Sequence, residues 1–114
     1  MSLLKEEQDG ITIIKVAKDR LDSIIAPQLK SELLILVSEG AKKILIDLSD
    51  VTYTDSSGLG ALLFGFRQLK NNHGQLKLYA ANDRIMTLVR IARLDGFLLN
   101  YRDKNEAIFS FDEL

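Results

Sequence analysis

The chain has 114 residues, enough for one domain with one modest core. Its 46% apolar and 27% charged residues are ordinary for a globular protein, and a formal net charge of −1 gives no bulk attraction to nucleic acid or an anionic membrane. It has no cysteine, which excludes disulfides and thiolate metal sites, and no apolar run approaches the ~20 residues that span a bilayer.

The N-terminal stretch Met1-Ser2-Leu3-Leu4-Lys5-Glu6-Glu7 lacks the basic start and apolar segment of a secretory signal, so a cytoplasmic location is expected. Met1-Ser2-Leu3 is compatible with part of an expression leader. Asp9-Gly10 is a hairpin turn signal between Leu3–Gln8 and Ile11–Val16. In the second of these runs Ile11 and Ile13 share one face while Thr12, Ile14 and Val16 share the other. Apolar residues on both faces predict a strand inside the sheet. Pro27 suits the first turn of a helix, Leu29, Leu33, Leu36 and Val37 follow at helical spacing, and Gly40 closes it. Lys42–Leu48 reads as a buried strand. A helix from Ser57 to about Asn72 carries Leu59, Leu62, Leu63, Phe66 and Leu69 as its expected core face, and His73-Gly74 ends it. Gln75–Ala80 is a strand. Asn82 caps a helix with core face Ile85, Leu88, Val89 and Ala92, which Asp95-Gly96 stops. Leu98–Tyr101 is a short last strand, and Asp103 with Glu106 forms a capping box before Ala107, Ile108 and Phe111. Alternating strands and helices imply an α/β domain over residues 1–114. Its mixed sheet opens with an antiparallel hairpin, continues mainly parallel, and carries about four helices.

Thr54-Asp55-Ser56-Ser57-Gly58-Leu59-Gly60 joins the buried strand to the following helix. Serines there lie at or beside the N-cap, where hydroxyls satisfy free N–H groups and the helix dipole favours an anion. Gly58 and Gly60 each cost about 1 kcal/mol of helix propensity against alanine, which suggests that something approaches the backbone closely, a ligand or the sheet itself. A hydrolase reading fails: Gly-x-Ser-x-Gly is absent around Ser56, and His73 lies about 25 Å away along the helix at 1.5 Å per residue. Asp22, Asp47 and Asp55 could gather at the sheet edge, yet no Gly-Lys phosphate loop accompanies them, so no metal or cofactor is expected. Arg84, Arg90 and Arg93 read as a solvated helix face.

Asp55-Ser56-Ser57-Gly58-Leu59-Gly60 resembles the signature of the STAS domain of bacterial anti-sigma factor antagonists. Leu21-Asp22, Val51-Thr52-Tyr53, Ala92-Arg93-Leu94-Asp95-Gly96-Phe97 and Asn105-Glu106-Ala107 extend that likeness over nearly the whole chain. The resemblance implies Ser56 as phosphoacceptor, Asp22 and Asp55 as orienting residues, Ser57 as the cap, and Gly58 and Gly60 as points of close approach. It also implies a non-enzymatic switch. The partners would be an anti-sigma factor of the serine-kinase type and a protein phosphatase, without nucleic acid or membrane insertion and with room for a weak homodimer. The other reading within the resemblance is a ligand-binding or scaffold STAS subunit without a phospho-switch, of stressosome, nucleotide-binding or lipid-transport type. Three features depart from the family pattern. Asp19 replaces a usual glycine, Ile24 and Ile25 occupy places that are often small or polar, and Phe64 lies off the helix's core face. At least one of Ile24, Ile25 and Phe64 is expected to be exposed and to form part of an apolar partner surface.

Overall fold

The computed structural model describes residues 1–112. Strand β1 (Leu3–Gln8) turns through Asp9 and Gly10, both at positive φ (55° and 80°), into antiparallel β2 (Ile11–Val16). Two successive positive φ values match the twist of a tight hairpin. Strands β4 (Lys43–Asp47), β6 (Gln75–Tyr79) and β7 (Asn100–Tyr101) add in parallel, giving the order β1-β2-β4-β6-β7. The mixed, mostly parallel sheet is therefore the one expected. The last strand is shorter than Leu98–Tyr101 because Leu98 bonds back to Leu94 and is buried beneath α3 (Asp83–Ile91).

A second sheet of two strands was not legible in the pattern. Strand β3 (Arg20–Leu21) pairs in parallel with β5 (Tyr53–Thr54). Each strand is two residues long, too short to show a period of two.

Helices α1 (Ala26–Ser38), α2 (Ser56–Asn71) and α3 cover one face of the large sheet, and α4 (Lys104–Phe109) covers the other. The split face pattern of β2 follows: Ile14 and Val16 join the core under α1–α3, whereas Ile11 and Ile13 pack with Leu45, Ala107, Ile108 and Phe111. Asp103 caps α4 as expected, its Oδ2 accepting from the Glu106 amide at 2.9 Å.

Two helix faces differ from expectation. On α2 the fully buried positions are Gly58, Ala61, Leu62, Gly65 and Leu69, while Leu59, Leu63 and Phe66 are only partly buried. Small residues face inward because α1 and the sheet lie close. A Cβ on Gly65 would meet the Leu33 and Leu76 side chains at 2.7 and 2.8 Å. A pattern of large apolar residues cannot register that approach. On α3, Ile85 and Val89 are buried, but Ala92 is exposed at the C-cap, and Arg93 at φ 60° ends the helix before Asp95-Gly96.

Candidate functional site: the β5–α2 turn

Strand β5 delivers the chain to the start of α2, and three segments hold it there. Thr54 is buried, and its Oγ1 donates to the Leu21 carbonyl of β3 at 2.8 Å. The Thr52 amide donates to the Asp19 carbonyl at 2.8 Å, and Asn82 Nδ2 donates to the Thr52 carbonyl at 3.3 Å. The turn before Ser56 is thus tied to the β2–β3 connection and to the start of α3. Asp19, the departure from the family pattern, contributes through its backbone carbonyl, a role open to any residue.

Asp55 is the N-cap of α2, and its Oδ1 accepts from the Gly58 amide at 3.1 Å. The expected capping role of Ser57 is therefore corrected. The reason is register: α2 starts at Ser56, one residue earlier than the pattern indicated, and the extended cap residue (φ −124°, ψ −168°) is the aspartate. Ser56 becomes the first helical residue and is exposed; Ser57 follows it half-buried. With Asp55 capping, the Ser56 hydroxyl is released from that duty.

Asp22 orders the turn before α1. Its Oδ1 accepts from the Ile24 and Ile25 amides at 3.0 and 3.3 Å, which fixes the turn leading into α1, whose own cap position, Ile25, offers no side-chain bond. Its Oδ2 lies 3.8 Å from Arg20 Nε. Asp47 does not join a cluster with these acids. Its Oδ1 accepts from the Ser49 amide at 2.8 Å, and no group of metal-ligating side chains occurs among the described residues.

The two glycines of the motif part company. A Cβ on Gly58 would overlap Thr54 Oγ1 and the Leu21 carbonyl oxygen, so Gly58 lets α2 press against β3. Gly60 has nothing within 4 Å of such an atom and is exposed, which corrects its expected role in close approach. The close approach is internal to the protein.

Of the proposed apolar surface residues, Ile24 is 71% exposed. Ile25 is buried, which corrects its place in that surface: as the residue leading into α1 it turns toward Leu21 and Leu29 in the core. Phe64 is half-buried, with Lys30 Nζ 5.7 Å from its ring centroid. Leu34 and Ile35 on α1 are about half exposed.

Between the start of α2 and α3 lies an open groove of about 600 Å³. Leu59, Leu88 and Ile91 give it an apolar lining, and Ser56, Asp55 and Arg84 line it with polar groups. The Tyr53 ring also lines it, with the guanidinium of Arg20 4.1 Å from the ring centroid and that of Arg84 5.8 Å away. Contacts between residues 20, 53 and 84 carry no local spacing signal, so the sequence did not disclose this stack. His73, at φ 63° beyond the far end of α2, is exposed and remote.

The fold and this turn define a STAS domain. The family model described as "STAS domain" matches residues 2–107, and the chain belongs to that family. The anti-sigma-B factor antagonist of Bacillus subtilis is 38% identical over 78 residues, covering 68% of this chain and 71% of that protein. Among solved structures, an anti-sigma-factor antagonist (STAS) domain protein from Planctomyces limnophilus superposes with a TM-score of 0.86 at 23% identity, over 97% of this chain and 98% of that one. The Bacillus cell fate determinant SpoIIAA in its phosphorylated form superposes with a TM-score of 0.75 at 20% identity, over 95% and 97% of the two chains.

Proposed function

We propose that this protein is an anti-sigma factor antagonist switched by phosphorylation of Ser56. The observation that carries the reading is the exposed hydroxyl at the first residue of α2, freed by Asp55 from capping. Its partner is an anti-sigma factor of the serine-kinase type, which gives up its sigma factor on binding the unphosphorylated protein. In the reverse arm the γ-phosphoryl group of a nucleoside triphosphate passes to Ser56 Oγ. The hydroxyl proton leaves to a base on the kinase, and the nucleoside diphosphate departs. A phosphatase hydrolyses the ester with water and releases inorganic phosphate. The protein is a substrate and binder in this cycle, and the catalytic groups belong to its partners. No helix among the described residues is long and apolar enough to cross a membrane.

The chemistry of the turn supports this reading. A phosphate adds about −1.5 to −2 charge at neutral pH. The start of α2 tolerates it through the helix dipole, while Asp55 stands beside it and Asp22 at the start of α1, so the surface turns strongly negative without unfolding. Ile24 lies exposed two residues beyond Asp22 and supplies an apolar contact at the edge of the docking surface. Incubation with the cognate kinase and nucleoside triphosphate, followed by mass spectrometry of peptides, tests the acceptor; phosphate confined to Ser57 would sink the assignment. Titration calorimetry should then show weaker partner binding for the phosphoprotein, and partially for Ser56→Asp. Unchanged affinity in both removes the switch.

A further inference from the structure

Arg84 is the basic residue of the groove whose charge is not already engaged. Arg20 shares the Tyr53 ring with it, but Arg20 Nε faces Asp22 at 3.8 Å. Asp83, the neighbour of Arg84 on α3, is directed to Arg102 at 3.9 Å. The two carboxylates nearest the turn are occupied by backbone amides, Asp55 by Gly58 and Asp22 by Ile24 and Ile25. Among the described residues no carboxylate forms an ion pair with Arg84, whose guanidinium rests 5.8 Å from the ring of Tyr53, three residues before Ser56, and which lines the same groove as Ser56.

We propose that Arg84 is the counter-ion of a phosphate carried by Ser56, and that phosphorylation draws the guanidinium from the Tyr53 ring across the mouth of the groove. The inference rests on the reading of Ser56 as phosphoacceptor and adds a mechanism to it. A guanidinium meets phosphate oxygens through paired, charge-assisted N–H donors, a geometry that outcompetes an exposed cation–π contact. The switch then acts in two ways. It adds charge beside Asp55, and it bridges the polar groups of the groove over Leu59, Leu88 and Ile91, closing an apolar socket to the partner's side chain.

The contact is tested with phosphoserine installed at position 56 by genetic code expansion, so that no kinase is needed. The second ionisation of the phosphate is followed by its phosphorus resonance. The neighbouring charges are Asp55 at the N-cap of α2, Arg20 on β3 with Asp22 just after it, and Arg84 on α3, with Tyr53 on β5. In the otherwise native protein this ionisation should fall below that in Arg84→Gln by about 0.5 unit or more, a roughly threefold drop in proton affinity. Arg84→Lys should restore most of the shift, and Tyr53 ring resonances should move on phosphorylation only where Arg84 is present. Superimposable titrations of the native and Arg84→Gln proteins would overturn the proposal. Mass spectrometry of the protein from its native cells tests Ser56 separately. Phosphate there with superimposed titrations keeps the switch and removes the Arg84 contact; no phosphate there with a shifted titration keeps the contact and removes the switch.

Discussion

Ser56 and Asp55 are adjacent, yet α2 assigns them opposite tasks. Asp55 spends its carboxylate on the Gly58 amide, and Ser56 stands exposed at the first helical position. Asp55→Ala should therefore cost about 0.5–2 kcal/mol through loss of the cap. Ser56→Ala should stay within about 0.5 kcal/mol of the native protein while abolishing phosphorylation. Urea denaturation of both variants checks this, and a larger loss for Ser56→Ala would show that the hydroxyl caps after all. The two glycines give a second contrast. Gly58→Ala forces a methyl against the Leu21 carbonyl, a backbone atom that cannot swing aside, and should cost about 1–3 kcal/mol. Gly60→Ala adds a methyl in open space on a helix and should stabilise by up to about 1 kcal/mol. Equal effects at the two positions would contradict the packing of α2 on β3.

At the scale of elements, the short β3–β5 pair does what neither strand could do alone. Its register, Arg20↔Tyr53 and Leu21↔Thr54, brings the start of α1 and the start of α2 to the same end of the molecule. The Thr54 Oγ1 bond to the Leu21 carbonyl is its side-chain fastening. Thr54→Val keeps the shape and removes the donor, leaving a buried carbonyl with one partner fewer. The expected cost is about 1–3 kcal/mol, with amide exchange rising first in residues 19–22 and 52–58. Uniform exchange across the molecule would instead mean that the pair is not a separate opening unit. The same element logic explains why α2 turns small residues inward. The α1–α2 and α2–β3 approaches are close, and the larger Leu59, Leu63 and Phe66 are displaced to the margins.

For the whole molecule, ion pairs tie the edge strand β1 to both helical layers. Lys5 meets Glu32 of α1 at 2.8 Å, and Lys104 of α4 meets Glu6 at 2.9 Å. Each lysine is held above its ordinary value of 10.5, first by the hydrogen bond to its carboxylate partner. A raised lysine stabilises the fold fully below its unfolded value, and that contribution is lost as pH rises through the folded value. The stability difference between the native protein and a Lys5→Gln/Lys104→Gln variant should be present at about pH 8 and shrink by about pH 11.5. A difference that persists unchanged would assign these lysines a packing role instead. Both pairs are at least partly exposed, so high salt should also narrow the difference.

The sequence determined the order of the main elements, the hairpin at Asp9-Gly10, the interior place of β2, the caps at Asn82 and Asp103, and the location of Ser56 at a strand-to-helix turn. Each is a local matter: turn chemistry, alternation or a capping side chain within a few residues of the backbone it serves. The tertiary structure decided what depends on distant neighbours. It gave the cap of α2 to Asp55 by fixing the helix start. It turned Ile25 into the core while leaving Ile24 outside, and it set Gly58 against β3. It also gathered Arg20, Tyr53 and Arg84 around one ring. Those contacts join segments some thirty residues apart, and their energies come from packing and charge proximity that leave no period in the chain.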